Sequence, residues 1–246
     1  MTRGILIAGN ESGLSQAIAA EAAKRVEHYA AALISSRLSD APRSSAVPEG
    51  QPAPERTGTP AQAGSSAHVG SFAQAGMGLQ WNPGSPISAR TLVLAAENRL
   101  GQINEAVLVC APPSIRRPAA GLSLADIEVM VNDHIKGWFF LVRELSAAFR
   151  VRRAGTLALV FSDTGAGGGK DDAVDILGPA ATASFQAFTR SILASASAEP
   201  YITMGFSCTE AGAETGFASY IFKLLDEGNR RNNGKLLKYG KFGFLK

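Results

Sequence analysis

The sequence predicts an α/β fold, a single domain over residues 1–246 built on a doubly wound, mostly parallel sheet of seven strands. Two observations carry this expectation. Short apolar runs alternate with longer segments of helical periodicity, the pattern of βαβ units on a parallel sheet. The chain has 246 residues, 46% of them hydrophobic, which suits one sizeable core and no second domain.

In chain order the apolar runs are Gly4–Ala8, Ala30–Ser35, Gly78–Asn82, Ala106–Cys110, Leu157–Phe161, Ile202–Phe206 and Leu236–Tyr239. Between them the spacing predicts helices over Ser12–Arg25, Ala89–Leu100, Leu124–Phe149, Pro179–Ser197 and Phe217–Glu227. One stretch breaks the rhythm. Asp40–Met77 is dominated by Ala, Pro, Gly and Ser, with almost no large apolar side chains. Such a segment cannot bury enough surface to offset the entropy of ordering it, so a flexible, disordered insertion is expected after the second strand.

The helix over Leu124–Phe149 has the clearest periodicity. Ile127, Val131, His134, Trp138, Val142, Leu145 and Phe149 recur at steps of three and four, which places them on one face. His134 then lies in an apolar stripe, and a core histidine with satisfied hydrogen bonds is expected there ahead of a catalytic one.

The formal charge of +3 is spread along the chain, with its densest groups at Arg150, Arg152 and Arg153 and from Arg230 to Lys246. These read as solvated helix ends, not a nucleic-acid surface. Cys110 and Cys208 end predicted strands and read as buried thiols without a disulfide framework. No metal site is expected, because His28, His68 and His134 lie in unrelated elements. No segment approaches the roughly 20 apolar residues of a membrane span, and no secretory leader pattern opens the chain. A cytoplasmic protein is the expectation.

The first strand runs into Ala8-Gly9-Asn10-Glu11-Ser12-Gly13-Leu14-Ser15 and at once into a helix. This turn resembles the T-G-x-x-x-G-x-G cofactor loop of the short-chain dehydrogenase/reductase family. Glycines there let the backbone approach a pyrophosphate, which rests on the positive end of the helix. Gly9 and Gly13 match; Ala8 replaces the Thr and Ser15 the last Gly. The likeness continues through Cys110-Ala111-Pro112-Pro113 at the family's N-N-A-G turn and Val131–Phe140 at its fourth helix. Gly155–Ser162 matches the strand ending in the catalytic Ser, and Phe185–Ile192 the segment after Y-x-x-x-K. The resemblance implies a Rossmann-type fold with cofactor contacts at Gly9, Ser12, Gly13, Leu14, Cys110 and Ala111. At the end of the second strand it places Arg37, which as a ligand of the 2′-phosphate favours NADP over NAD and otherwise reads as an ordinary surface charge, with Glu11 in the turn opposing a phosphate. It also implies a homodimer or homotetramer formed through helices 124–149 and 179–197.

The resemblance also marks what is missing. The family's Tyr carries the proton, its Lys lowers the Tyr pKa and holds the ribose, and its helix-four Asn anchors a water relay. Here Gly178 stands at the Tyr position, Thr182 at the Lys position and His134 at the Asn position, and only Ser162 is retained. Glycine and threonine cannot supply that proton chemistry. After the sixth strand, Cys208–Thr215 leads almost directly into the next helix, leaving little chain for a substrate lid. The sequence therefore points to a dinucleotide-binding, scaffold or sensor protein without ordinary hydride transfer. The alternative is an NAD(P)-dependent oxidoreductase with a relocated proton donor, with Ser162 and His134 as its catalytic candidates and Lys170 a further basic group. A structural oligomer that has lost nucleotide binding is a third reading.

Overall fold

The computed structural model describes residues 3–26, 28–34, 76–163, 175–228 and 230–240. Its strands are β1 (Ile5–Asn10), β2 (Tyr29–Ile34), β3 (Gly76–Gly78), β4 (Glu105–Cys110), β5 (Thr156–Ser162), β6 (Ile202–Cys208) and β7 (Leu236–Tyr239). They form one seven-stranded sheet in the order β3-β2-β1-β4-β5-β6-β7, and every pairing is parallel. The helices are α1 (Gly13–Ala23), α2 (Pro86–Leu100), α3 (Leu124–Val131), α4 (Gly137–Arg152), α5 (Leu177–Ser195) and α6 (Glu214–Asp226).

Alternation along the strands fills two cores. Leu6, Ala8, Leu108 and Phe161 face one side, where they pack with Leu92 of α2, Leu145 and Phe149 of α4 and Phe185 of α5. Ile5, Ile7, Val107 and Val160 face the other, against Ile18 of α1 and Phe217 and Phe222 of α6. Strands apolar on both faces are what a parallel sheet covered by helices requires. Strand order reverses between β1 and β4, and sheets of this kind take ligands in the crevice outside the carboxyl ends at that point.

The opposite, amino-terminal edge is tied by charge. Arg3 bonds Glu105 at 2.7 Å and also reaches Asp226, while Arg25 bonds Asp226 at 2.8 Å and pairs with Glu21. These contacts join β1, β4, α1 and α6 away from the crevice.

Four expectations need correction. The third strand is Gly76–Gly78, not Gly78–Asn82; it pairs with Tyr29–Ala31, and Leu79 and Trp81 turn inward onto the core as a loop. Consequently Gly76 and Met77 belong to the sheet and not to an insertion over 40–77, whose residues 40–75 lie outside the described residues. Helix α2 begins at Pro86, three residues before the expected Ala89, because Ser85 caps it and Pro86 fits its first turn. The long helix is not continuous. The Gly137 N–H reaches back five residues to the Asn132 carbonyl, making Asn132–Lys136 a π turn between α3 and α4.

That wider turn shifts the buried face by about one residue. Before it, Asp126 and Met130 point inward, whereas Ile127 and Val131 are 38% and 41% exposed. After it, Trp138, Val142, Leu145 and Phe149 are buried as the spacing predicts. Trp138 is therefore core.

Candidate functional site

Ser12 caps α1, its side chain accepting the Ser15 N–H at 3.1 Å and its hydroxyl donating to the Ser15 hydroxyl at 3.0 Å. The amide N–H groups of Gly13 and Leu14 have no intrahelical acceptor, as at any helix start. A Cβ on Gly13 would meet nothing within 4 Å, so the helix end is open to an incoming group. Leu14 contributes only backbone here, because its side chain packs into the α1/α6 core. Gly9 serves the sheet as well as the turn. A Cβ there would lie 2.7 Å from the Val109 carbonyl, so β1 and β4 close up only because this residue is glycine. The missing third glycine is accommodated, since Ser15 is fully buried with its hydroxyl bonded to Ser12.

Across the crevice, Cys110 ends β4 and Ala111 follows it. The Cys110 thiol is buried, which pushes its pKa well above the ordinary thiol range and keeps it protonated. It is therefore a core group beneath the site. The Ala111 carbonyl accepts a hydrogen bond from Asn10 Nδ2, so the ends of β1 and β4 are clasped by a side chain. Sequence reasoning missed Asn10, a variable position in the cofactor loop with no distinguishing spacing. Arg37 lies outside the described residues, as does Lys170.

At the other end of the site, α5 packs against both β5 and the π turn. Helix α5, which carries Gly178 and Thr182, thus touches the strand that ends in Ser162 and the turn that carries His134, and among the described residues no hydrogen bond joins Ser162 to His134. His134 is 3% exposed, and burial lowers its pKa to about 4, so the imidazole is neutral near pH 7. Among the described residues its Nδ1 has no hydrogen-bond partner, which corrects the expectation of a fully satisfied core histidine. Thr182 uses its hydroxyl locally, donating to the Gly178 carbonyl at 3.1 Å.

Gly178 is buried, and its N–H donates to Asp175 Oδ1 at 3.0 Å. A Cβ at this position would stand 2.6 Å from Asp175 Oδ2. Asp175 also pairs through its backbone with Arg116 in an isolated antiparallel bridge, drawing the chain after β4 onto the start of α5. There Ile115 packs with Met130 and Ala181, flanked by Leu122, Ile135 and Leu177. On the far side only Thr209–Ala213 separates β6 from α6, so the connection is as short as the sequence suggests. Asp175 was detectable, since an Asp just ahead of a helical run is a capping signal.

Among the described residues no group of His, Cys, Asp and Glu side chains could hold a metal ion. No helix is long and apolar enough to cross a membrane among the same residues.

Sheet order and glycine turn together define a Rossmann-type doubly wound fold, which solved structures of short-chain dehydrogenase/reductases share. The chain matches a short chain dehydrogenase from Mycobacterium smegmatis at a TM-score of 0.68 and 12% identity, over 98% of this chain and 93% of that one. It matches ElxO with NADP bound at 0.66 and 14%, over 97% of each chain. A protein of Bacillus thuringiensis described as a 3-oxoacyl-reductase gives 0.65 and 12%, over 97% of this chain and 96% of that one. No protein-family model and no curated protein matches the sequence.

Proposed function

We propose that this chain is a dinucleotide-binding protein of the short-chain dehydrogenase/reductase fold that does not carry out ordinary hydride transfer. The observation carrying this reading is the Asp175 carboxylate, which stands where a side chain at Gly178 would begin. Among the residues aligned with the family's proton machinery, Gly178 has no donor, Thr182 has spent its hydroxyl on the helix, and His134 is neutral and buried. A positioned acid contributes on the order of 10²–10⁴ in rate, and that contribution is lost here.

The residues fit the pyrophosphate end of a nicotinamide dinucleotide and not its reactive end. The open turn at Gly13 and the free N–H groups of Gly13 and Leu14 suit an anion on the α1 terminus. When bound, such a cofactor supplies hydride; the chain's residues hold its phosphates and leave the proton step unserved. The match to a protein with NADP bound supports a nucleotide ligand for this fold. The expected preference for NADP rests on Arg37 alone.

Thermal unfolding of the purified protein with NADP and with NAD tests this reading. A ligand at 100 times its Kd stabilises by about 2.7 kcal/mol, so a clear upward shift is expected with at least one of them. No shift with either at millimolar concentration would remove the dinucleotide reading and favour a structural oligomer.

Self-association belongs to the same proposal. Ala180, Ala183 and Ala187 line an exposed face of α5, and Phe139 of α4 is 51% exposed beside Phe188, with ring centroids 4.6 Å apart. Small residues beside exposed aromatics suit close helix packing in a two-fold dimer or a tetramer.

A further inference from the structure

The exposed side of α3 and α4 forms one apolar stripe, and the π turn between the two helices is what aligns it. Leu124, Ile127 and Val131 of α3 are 71%, 38% and 41% exposed, and Phe139 of α4 is 51% exposed. Around an unbroken α-helix Val131 and Phe139 would stand ~80° apart. The wider turn at Asn132–Lys136 takes up about one residue of that rotation and leaves them nearly in line. The same shift brings Arg143 of α4 onto the side of Leu124 and Glu128 of α3, and both charged side chains are exposed. The Arg143 guanidinium is 76% exposed, and its ion contact with the neighbouring Glu144 is long, at 3.8 Å.

The order of residues along the stripe is self-complementary. The midpoint of Glu128 and Arg143 falls between Ile135 and Lys136, in the π turn. Leu124 and Ala147 share that midpoint, and Val131 and Phe139 have theirs at Ile135. Two copies lying antiparallel about a two-fold axis bring together residues with a common midpoint, because such a contact uses the same patch on both copies.

We propose that the partner covering this stripe is a second copy of the chain, with α3 and α4 antiparallel across a two-fold axis at the π turn and Glu128 of each copy paired with Arg143 of the other; this rests on the self-association proposed above. Apolar groups then meet apolar groups, Val131 against Phe139 and Leu124 against Ala147. Lys136, beside the axis, would face its own copy. Its ammonium is drawn aside, donating to Asn132 Oδ1 at 3.3 Å and lying over the Phe140 ring. A partner of any other kind gives no reason for an acid and a base spaced evenly about the turn.

The experiment measures the mass of the full chain by light scattering across a micromolar dilution series, for the wild type, Glu128→Arg, Arg143→Glu and the double reversal. Each single reversal should weaken association at least about 10-fold, since like charges then meet twice in every dimer. The double reversal should restore it to within about 3-fold of the wild type, because opposite charges again face each other. Cysteine variants give a second readout should a reversed chain not fold. Glu128→Cys mixed with Arg143→Cys should form a disulfide-linked dimer under mild oxidant, whereas Glu128→Cys alone should not, its two copies lying ~22 Å apart along the helices. No linkage in the mixture, or equal linkage of Glu128→Cys alone, overturns the arrangement. So does a wild-type oligomer that is indifferent to both single reversals or that the double reversal does not restore; self-association then stands on another face. A wild-type monomer removes both.

Discussion

The carboxylate of Asp175 holds the amino end of α5 and fills the space beside Gly178: Oδ1 accepts the Gly178 N–H at 3.0 Å, and Oδ2 lies 2.6 Å from the site of a Gly178 Cβ. The two positions are coupled, so neither can be changed alone without cost. Gly178→Ala should destabilise by roughly 1–3 kcal/mol through crowding, and Asp175→Ala by about 1 kcal/mol through the lost cap. The double variant should lose less than the sum, because removing the carboxylate makes room for the new methyl. Urea unfolding of the four proteins checks this, and additivity within about 0.5 kcal/mol would contradict the coupling.

The same relationship governs any attempt to install the missing chemistry. Gly178→Tyr with Thr182→Lys, the pair the sequence suggests, drives the new ring into the Asp175 carboxylate. That double variant should fold poorly or show no turnover. Adding Asp175→Ala should raise its thermal midpoint, and a scan of the two proteins decides the matter.

His134 should set part of the pH dependence of stability. Its folded pKa is lowered by burial to about 4, whereas an unfolded histidine titrates near 6.5. The unfolded chain takes up this proton first as the pH falls, so the contribution is fully present above pH 6.5 and is lost between pH 6.5 and about 4. The loss is on the order of 3 kcal/mol at about 1.36 kcal/mol per unit. His134→Leu should flatten the stability profile in that window, as read by denaturant unfolding at several pH values. An unchanged slope would show that the imidazole is hydrated.

Much of the fold was legible because parallel strands write themselves as apolar runs: Ile5–Ala8, Ala106–Cys110 and Leu157–Phe161 are buried on both faces. The third strand was misplaced because Gly76-Met77-Gly78 has no alternation to read, while beside it Leu79 makes one last backbone hydrogen bond to Ala31 and then packs, with Trp81, on the core. The π turn was hidden for a related reason. Ile127 and Val131 continue the downstream stripe at steps of three and four, and only the Gly137 to Asn132 hydrogen bond reveals the shifted register. At the site, Gly9, Gly13 and Ser12 announced themselves by motif. Asn10 did not, since its role arises from its contact with Ala111, and Asp175 showed only as an Asp just ahead of a helical run.

The proposed oligomer makes the α5 face sensitive to charge. Ala187 is exposed beside Phe188, and Ala187→Arg should leave the monomer folded while dispersing the assembly. Light scattering at micromolar concentration should report a dimer or tetramer for the wild type and a monomer for the variant. A wild-type monomer would remove this part of the proposal.

The absence of ordinary hydride transfer is tested most directly by wild-type turnover of NADPH and NADH with a broad panel of aldehydes and ketones at saturating cofactor. Oxidation indistinguishable from the protein-free blank is expected, because Gly178, Thr182 and the neutral His134 provide no proton donor. Turnover on the order of 1 s⁻¹ or faster, within the ordinary enzyme range, and abolished by Ser162→Ala or His134→Ala, would contradict this and establish a relocated donor.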